Sequence, residues 1–197
     1  MSDEQAGVPP EVFLALPTLT TARLVVRPHE PADASRLQQL AGARQIADTT
    51  LNIPHPYPDG AAEKFIECRA RQWSERKDLN MAIALPAVGL IGGIGLNDIS
   101  LRHRRAELGY WIGVEFWGLG YCTEAAEAVV RFGFERMNLN RIFAFHMTRN
   151  PASGRILQKL GMKHEGRLRR HVERWGRLED IDYYGLLRQE WLPKSPT

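Results

Sequence analysis

Trp117-Gly118-Leu119-Gly120-Tyr121-Cys122-Thr123 joins two stretches of different period. Before it, Arg105 to Ile112 alternates as a strand does. After it, Thr123 to Met137 carries Ala126, Val129, Val130, Gly133, Phe134 and Met137 on one helical stripe. A strand ending near Gly113, a glycine loop and a helix starting near Thr123 make an anion site. The free N–H groups and the dipole of the helix start favour negative charge, and glycine lets a phosphate approach the backbone. A tight turn that needs glycine only for its backbone angles accounts for the loop equally well. Two other phosphate loops are excluded. No Lys-Ser or Lys-Thr follows the last glycine, as a P-loop requires. Thr123 stands where a dinucleotide fingerprint needs its third glycine, and that fingerprint opens a parallel βαβ unit.

Working outward, Ala22 to Arg27 reads as a first strand. Pro31 can open a helix carrying Leu37 and Leu40 on one face. Ile53 to Pro58 holds three prolines and reads as a loop. Asp59 is the expected N-cap of a second helix with Phe65, Ile66 and Trp73 on its apolar side. Met81 to Leu85 and Leu90 to Leu96 form a hairpin around Pro86-Ala87-Val88-Gly89. Arg141 to Met147 is a strand. Asn150-Pro151 starts a helix that Gly161 stops, and two strands joined near Trp175-Gly176 complete the chain. The expected fold is mixed α/β: one largely antiparallel sheet of about seven strands flanked by four helices. Residues 1–15 and 193–197 read as tails around a single domain over 16–192.

The bulk composition is that of an ordinary globular domain: 44% hydrophobic and 25% charged residues in 197. A net charge of +3 suits a polyanionic ligand without requiring nucleic acid. Two cysteines, Cys68 and Cys122, have neither metal-ligand spacing nor the density of a disulfide scaffold, so no metal is expected and a reducing cytoplasm fits. The start of the chain lacks the basic and apolar regions of a signal peptide. The most apolar stretch, Met81 to Leu96, is broken by Pro86 and four glycines and falls short of the ~20 residues of a membrane helix.

Asn150 before Pro151 is by itself a routine cap, and Ser153 a first-turn residue that could face water. Four segments taken together say more: Glu107-Leu108-Gly109-Tyr110-Trp111-Ile112, the Trp117 to Ala125 loop, Asn150-Pro151-Ala152-Ser153, and Leu157-Gln158-Lys159-Leu160-Gly161-Met162. In type and spacing they resemble the GNAT superfamily of N-acetyltransferases. Within it they are similar to the RimJ/RimL branch, which acetylates N-terminal amines of ribosomal proteins. The resemblance runs from Leu19 to Trp191 and implies the GNAT fold, with acetyl-CoA as cosubstrate. Its pyrophosphate pattern is Gln or Arg, two residues, Gly, any residue, then Gly or Ala. Here Trp117 takes the first position, Gly120 fits, and Cys122 replaces the last small residue.

The resemblance also implies roles. The backbone of Gly118, Leu119, Gly120, Tyr121, Cys122 and Thr123 would cradle the pyrophosphate. Trp111, Ile112, Gly113 and Val114 would bond the pantetheine arm as an added strand does. Asn150 would reach the same arm, and Ser153 would protonate the leaving thiolate. Glu107 is the expected general base for direct attack of a neutral amine on the thioester through a tetrahedral intermediate, and Tyr110 a further candidate acid. An N–H near Ile112 would hold the oxyanion. Against these stand a salt-bridged Glu107 beside Arg104 and Arg105, and a Cys122 thiol with a lowered pKa that forms a disulfide with free coenzyme A.

Other readings stay open. The acceptor could be a small amine, polyamine or antibiotic, for which Asp98, Glu107, Asp180 and Asp182 are candidate carboxylates. The chain could be a non-catalytic coenzyme A sensor, or could bind nucleic acid through its arginine clusters with a steep salt dependence. Arg102-His103-Arg104-Arg105 reads as a polar turn or as a contact to the adenosine 3′-phosphate or to rRNA. Arg167 to Arg174 with His171 reads as a solvated face beside the acceptor cleft, and Trp175 as a turn residue or a lid. Monomer and homodimer are equally compatible with the sequence.

Overall fold

The computed structural model describes residues 9–191. In chain order the elements are β1 (Leu19–Thr20), β2 (Val25–Arg27), α1 (Ala34–Ala41), α2 (Arg44–Asp48), α3 (Ala61–Glu67) and α4 (Arg69–Ser74). Then come β3 (Leu79–Leu85), β4 (Gly89–Ser100), β5 (Arg105–Ile112), α5 (Tyr121–Glu135), β6 (Arg141–Met147), α6 (Pro151–Lys159), β7 (Lys163–Arg174) and β8 (Arg177–Leu187). The strands form one eight-stranded sheet in the order β1-β2-β3-β4-β5-β6-β8-β7. Only the β5–β6 pair is parallel.

The strand beyond the expected seven is β1, a two-residue piece too short to show alternation. The second helix does not start on Asp59. Gly60 precedes it with φ 72°, and the Asp59 carboxylate instead accepts from Gln38 Nε2 at 2.8 Å. The described part of the segment expected as an N-terminal tail is packed. Pro10–Phe13 makes a 3-10 turn, the buried Phe13 ring lies 4.7 Å from that of Trp73, and Trp73 Nε1 donates to the Ala15 carbonyl at 3.0 Å. One aromatic anchor is enough to order this segment against α4. Residues 1–8 and 192–197, including the expected C-terminal tail, lie outside the described residues.

The core has two sides. The stripe of α5 packs Ala126, Val129 and Val130 against Leu96, Leu108 and Ile142, with Leu157 of α6 beside them. On the other face, Ala34, Leu37 and Ala41 of α1 and Ala62 of α3 pack with Ala82, Leu90 and Trp111. The centre of the sheet is open. β5 pairs with β6 only through Arg105–Glu107 against Arg141–Phe143. Past that point β5 stays with β4 out to the Gly92–Ile112 pair, and β6 stays with β8 out to the Met147–Ile181 pair. Each strand follows its own outer neighbour, and a wedge opens between them.

Candidate active site

Glu107 is the last residue of β5 paired with β6, at the apex of the wedge. Strand alternation sends Glu107, Gly109 and Trp111 to the α1/α3 face, and Leu108, Tyr110 and Ile112 to the α5/α6 face. A cavity of about 1090 Å³ runs through the wedge and is lined by Glu107, Tyr110, Cys122, Asn150 and Ser153. Trp111, Ile112, Trp117, Gly118, Gly120, Tyr121 and Thr123 line it as well; Gly113, Val114 and Leu119 do not.

The glycine loop makes a tight turn and leaves the start of the helix behind it open. Gly118 and Gly120 have φ of 78° and 82°, which side chains disfavour. The helix behind them starts at Tyr121, two positions before Thr123, and its first backbone bond is from Glu124 N–H to the Gly120 carbonyl. The N–H groups of Tyr121, Cys122 and Thr123 therefore remain without helical partners. Arg23, from the β1–β2 turn, fastens the loop. Its Nη1 donates to the Leu119 carbonyl at 3.0 Å, its guanidinium lies 4.6 Å from the Tyr121 ring centroid, and it pairs with Glu124 at 2.7 Å. Glu124 also accepts from Thr21 Oγ1 at 2.6 Å. The sequence reading misses Arg23, because a contact across about a hundred residues leaves no local signal.

The strand segment expected to bond pantetheine is partly engaged already. Gly113 N–H donates to the Ile91 carbonyl at 2.8 Å, and Trp117 Nε1 to the Ile112 carbonyl at 2.8 Å. Val114 has left the strand for a 3-10 turn.

Cys122 corrects an expectation. Its side chain is buried, and burial pushes the thiol up to about 12. Desolvation outweighs the helix start, so this is not an activated thiolate. Tyr110 is also pushed well above its ordinary value, first by burial and then by Cys122, against its hydrogen bond with Ser153. Its Oη lies 2.9 Å from Ser153 Oγ and donates to the Ser153 carbonyl at 3.1 Å. Ser153 thus faces the wedge. Asn150 is the cap of α6, accepting from Ser153 N–H at 3.3 Å through Oδ1. Its Nδ2 amide remains a donor on the cavity wall.

Burial, then Asp98 and Asp78, raise Glu107 to about 6. The salt-bridged alternative is not realised. Arg105 pairs with Asp98 at 2.9 Å, and Arg104 donates to the Asn138 carbonyl at 2.9 Å. Phe143, Phe145 and Tyr183 share the Glu107 face, Tyr183 stacking on Phe143 at 5.4 Å and on Phe145 at 6.5 Å. Two other carboxylates considered for a cationic acceptor are held elsewhere. Asp182 pairs with Arg167 at 2.8 Å, and Asp180 accepts from Arg170 N–H at 2.8 Å. The Arg102–Arg105 segment is a turn at the start of β5, the opposite end from the glycine loop. That strand spans roughly 23 Å, so the turn is out of reach of a phosphate on the loop.

Among the described residues no cluster of His, Cys, Asp or Glu could hold a metal, and no helix is long and apolar enough to cross a membrane. Residues 23–163 match the acetyltransferase (GNAT) domain family. The N-acetyltransferase YoaA of Bacillus subtilis (strain 168), itself uncharacterized, is 31% identical over 173 residues, covering 87% of this chain and 97% of YoaA. YdaF of the same strain, provisionally named a ribosomal N-acetyltransferase, is 29% identical over 171 residues, 85% of this chain and 93% of YdaF. Mycobacterium smegmatis RimJ, solved as a coenzyme A disulfide complex, superposes with a TM-score of 0.83 at 21% identity, over 92% of this chain and 91% of that one. With its open sheet split between β5 and β6 and a glycine-led helix at the mouth of the split, the chain belongs to the GNAT acetyltransferase family.

Proposed function

We propose that this acetyl-CoA-dependent enzyme acetylates a protein N-terminal α-amine, with Glu107 as proton acceptor and Ser153, backed by Tyr110, as proton donor. The carrying observation is that the two groups flank the wedge from opposite faces of the sheet. An amine can meet Glu107 from one side while the acyl donor reaches through from the other.

The residues present fit the cosubstrate. The three N–H groups at the start of α5 suit a pyrophosphate, and the Asn150 amide and the β5 edge suit an extended amide-bearing arm. Acetyl-CoA supplies an acyl group activated as a thioester. An α-amino group has a pKa of about 8, so a weak base suffices to generate the attacking neutral amine. Glu107, held near 6, is ionised at neutral pH and takes that proton. Ser153 gives its hydroxyl proton to the departing sulfur, and Tyr110, 2.9 Å away, restores it.

Two observations support this acceptor. Asp98 and Asp182 are neutralised by arginines and Asp180 accepts a backbone N–H, which leaves a compact acidic site of Glu107 and Asp78 on the cavity wall, suited to one amine. The name of YdaF points to a ribosomal-protein N-terminus as the acceptor. The test is an acceptor screen with acetyl-CoA that reads released thiol. N-terminal peptides turning over faster than polyamines and aminoglycosides is the expected result. Turnover confined to small amines overturns the acceptor. Binding of acetyl-CoA without turnover of any amine favours a sensor.

A further inference from the structure

A second cavity, of about 710 Å³, lies between α2 and the β7–β8 turn. Arg44, Arg149, Arg174 and Arg177 line it, against only two carboxylates, Asp48 and Glu179. Both carboxylates are taken by Arg149, at 2.6 and 3.0 Å. Arg177 stands 3.9 Å from Glu179, and Arg174 bonds only carbonyl oxygens, with its Nε buried and unpartnered. The pocket therefore carries two guanidinium charges in excess. Its floor is Trp175, 44% exposed and held at φ 51° in the turn. Arg174 lies 4.6 Å and Arg44 5.4 Å from that ring centroid.

This pocket shares a wall with the main cavity. Arg174 donates to the carbonyls of Leu51 and Ile53, and both of those residues line the wedge cavity on their other side. The geometry points to a subsite for an aspartate or glutamate side chain of the polypeptide acceptor, downstream of its amino group. The inference rests on the protein N-terminal reading above. A single carboxylate can take a two-pronged hydrogen bond from the excess guanidiniums. The excess charge is small and confined to one pocket, which suits one carboxylate better than a run of phosphates.

The test uses the full-length enzyme with acetyl-CoA and peptides that share their first two residues. Later positions are acidic, neutral or basic. Expected is a kcat/KM about fivefold higher for acidic than for neutral peptides, carried by KM and shrinking as salt rises. Arg44→Glu with Arg177→Glu changes two exposed side chains that make no backbone contact. That variant should keep its Tm and lose or invert the preference. Equal turnover of acidic and neutral peptides by the wild type overturns the subsite while leaving the acceptor reading intact. So does a variant that keeps the preference, or one whose only change is escape from inhibition by single-stranded RNA. If no peptide of any charge is acetylated, the acceptor reading fails and the subsite fails with it.

Discussion

Tyr110 Oη sits 2.9 Å from Ser153 Oγ and 3.1 Å from the Ser153 carbonyl oxygen, so one phenol ties β5 to the first turn of α6 across the wedge. The bond does two things. It closes the open side of the sheet where backbone pairing has stopped, and it sets the serine hydroxyl toward the cavity. Tyr110→Phe keeps the ring and removes the bond. Expected is a loss of kcat of about 10²-fold, the usual size of a general-acid contribution, with a stability cost of about 1 kcal/mol. Ser153→Ala should cost a similar factor, and the double variant little more than either alone, because one chain of protons is being cut twice. Steady-state kinetics of the three variants check this; full additivity would separate the two residues.

Glu107 should appear in the pH dependence. The free-enzyme kcat/KM profile should rise through an apparent pKa near 6 and flatten above it until the amine limb, and Glu107→Gln should abolish that limb. The same shift has a sign for stability. The folded-state pKa lies above the ordinary value of 4.5, so the fold favours the protonated acid and loses stability as pH rises between 4.5 and about 6. Glu107→Gln should therefore melt ~4–8 °C higher at pH 7 and no higher at pH 4. A pH-independent Tm difference would show that the carboxylate is not desolvated in solution.

Gly120→Ala tests the loop. With φ at 82° a β-carbon is strained by roughly 1–2 kcal/mol, and it would stand 3.4 Å from Arg23 Nη2. The expected result is a KM for acetyl-CoA raised several-fold, with the KM for the acceptor unchanged. Arg23→Ala should act in the same direction, because it removes the guanidinium from both the Leu119 carbonyl and Glu124.

These residues divide by how their constraints are encoded. Glu107, Tyr110 and Ser153 lie in segments whose local pattern is strong: a clean alternation, and a cap followed by proline. β5 and β6 were legible residue for residue for the same reason. What the pattern could not carry is distance along the chain. Arg23 on Glu124, Arg174 on the 47–53 segment, and Phe13 under Trp73 are pairings of remote residues with no periodic signature. The two-residue β1 and five-residue α2 fall below the length at which a period can be counted. Burial of Cys122 is a third kind of miss. The helix start beside it argues for a lowered thiol pKa, and only the packing around it shows that solvent is gone.

That burial makes a prediction opposite to the one suggested by position alone. A thiol held near 12 is ionised at pH 8 in only about one molecule in 10⁴. Cys122 should resist both oxidised coenzyme A and a small maleimide in the folded protein, while Cys68, half-buried on α4's N-terminal side, reacts first. Intact mass after each incubation, followed by peptide mapping, reads the site. A coenzyme A adduct on Cys122 formed faster than global unfolding would mean that the loop opens to solvent in the native state. Cys122→Ala gives the complementary measurement. It keeps a small residue in the loop proposed to hold the pyrophosphate, so its KM for acetyl-CoA should match the wild type. Its cost should be confined to stability, at about 1 kcal/mol for the lost buried sulfur.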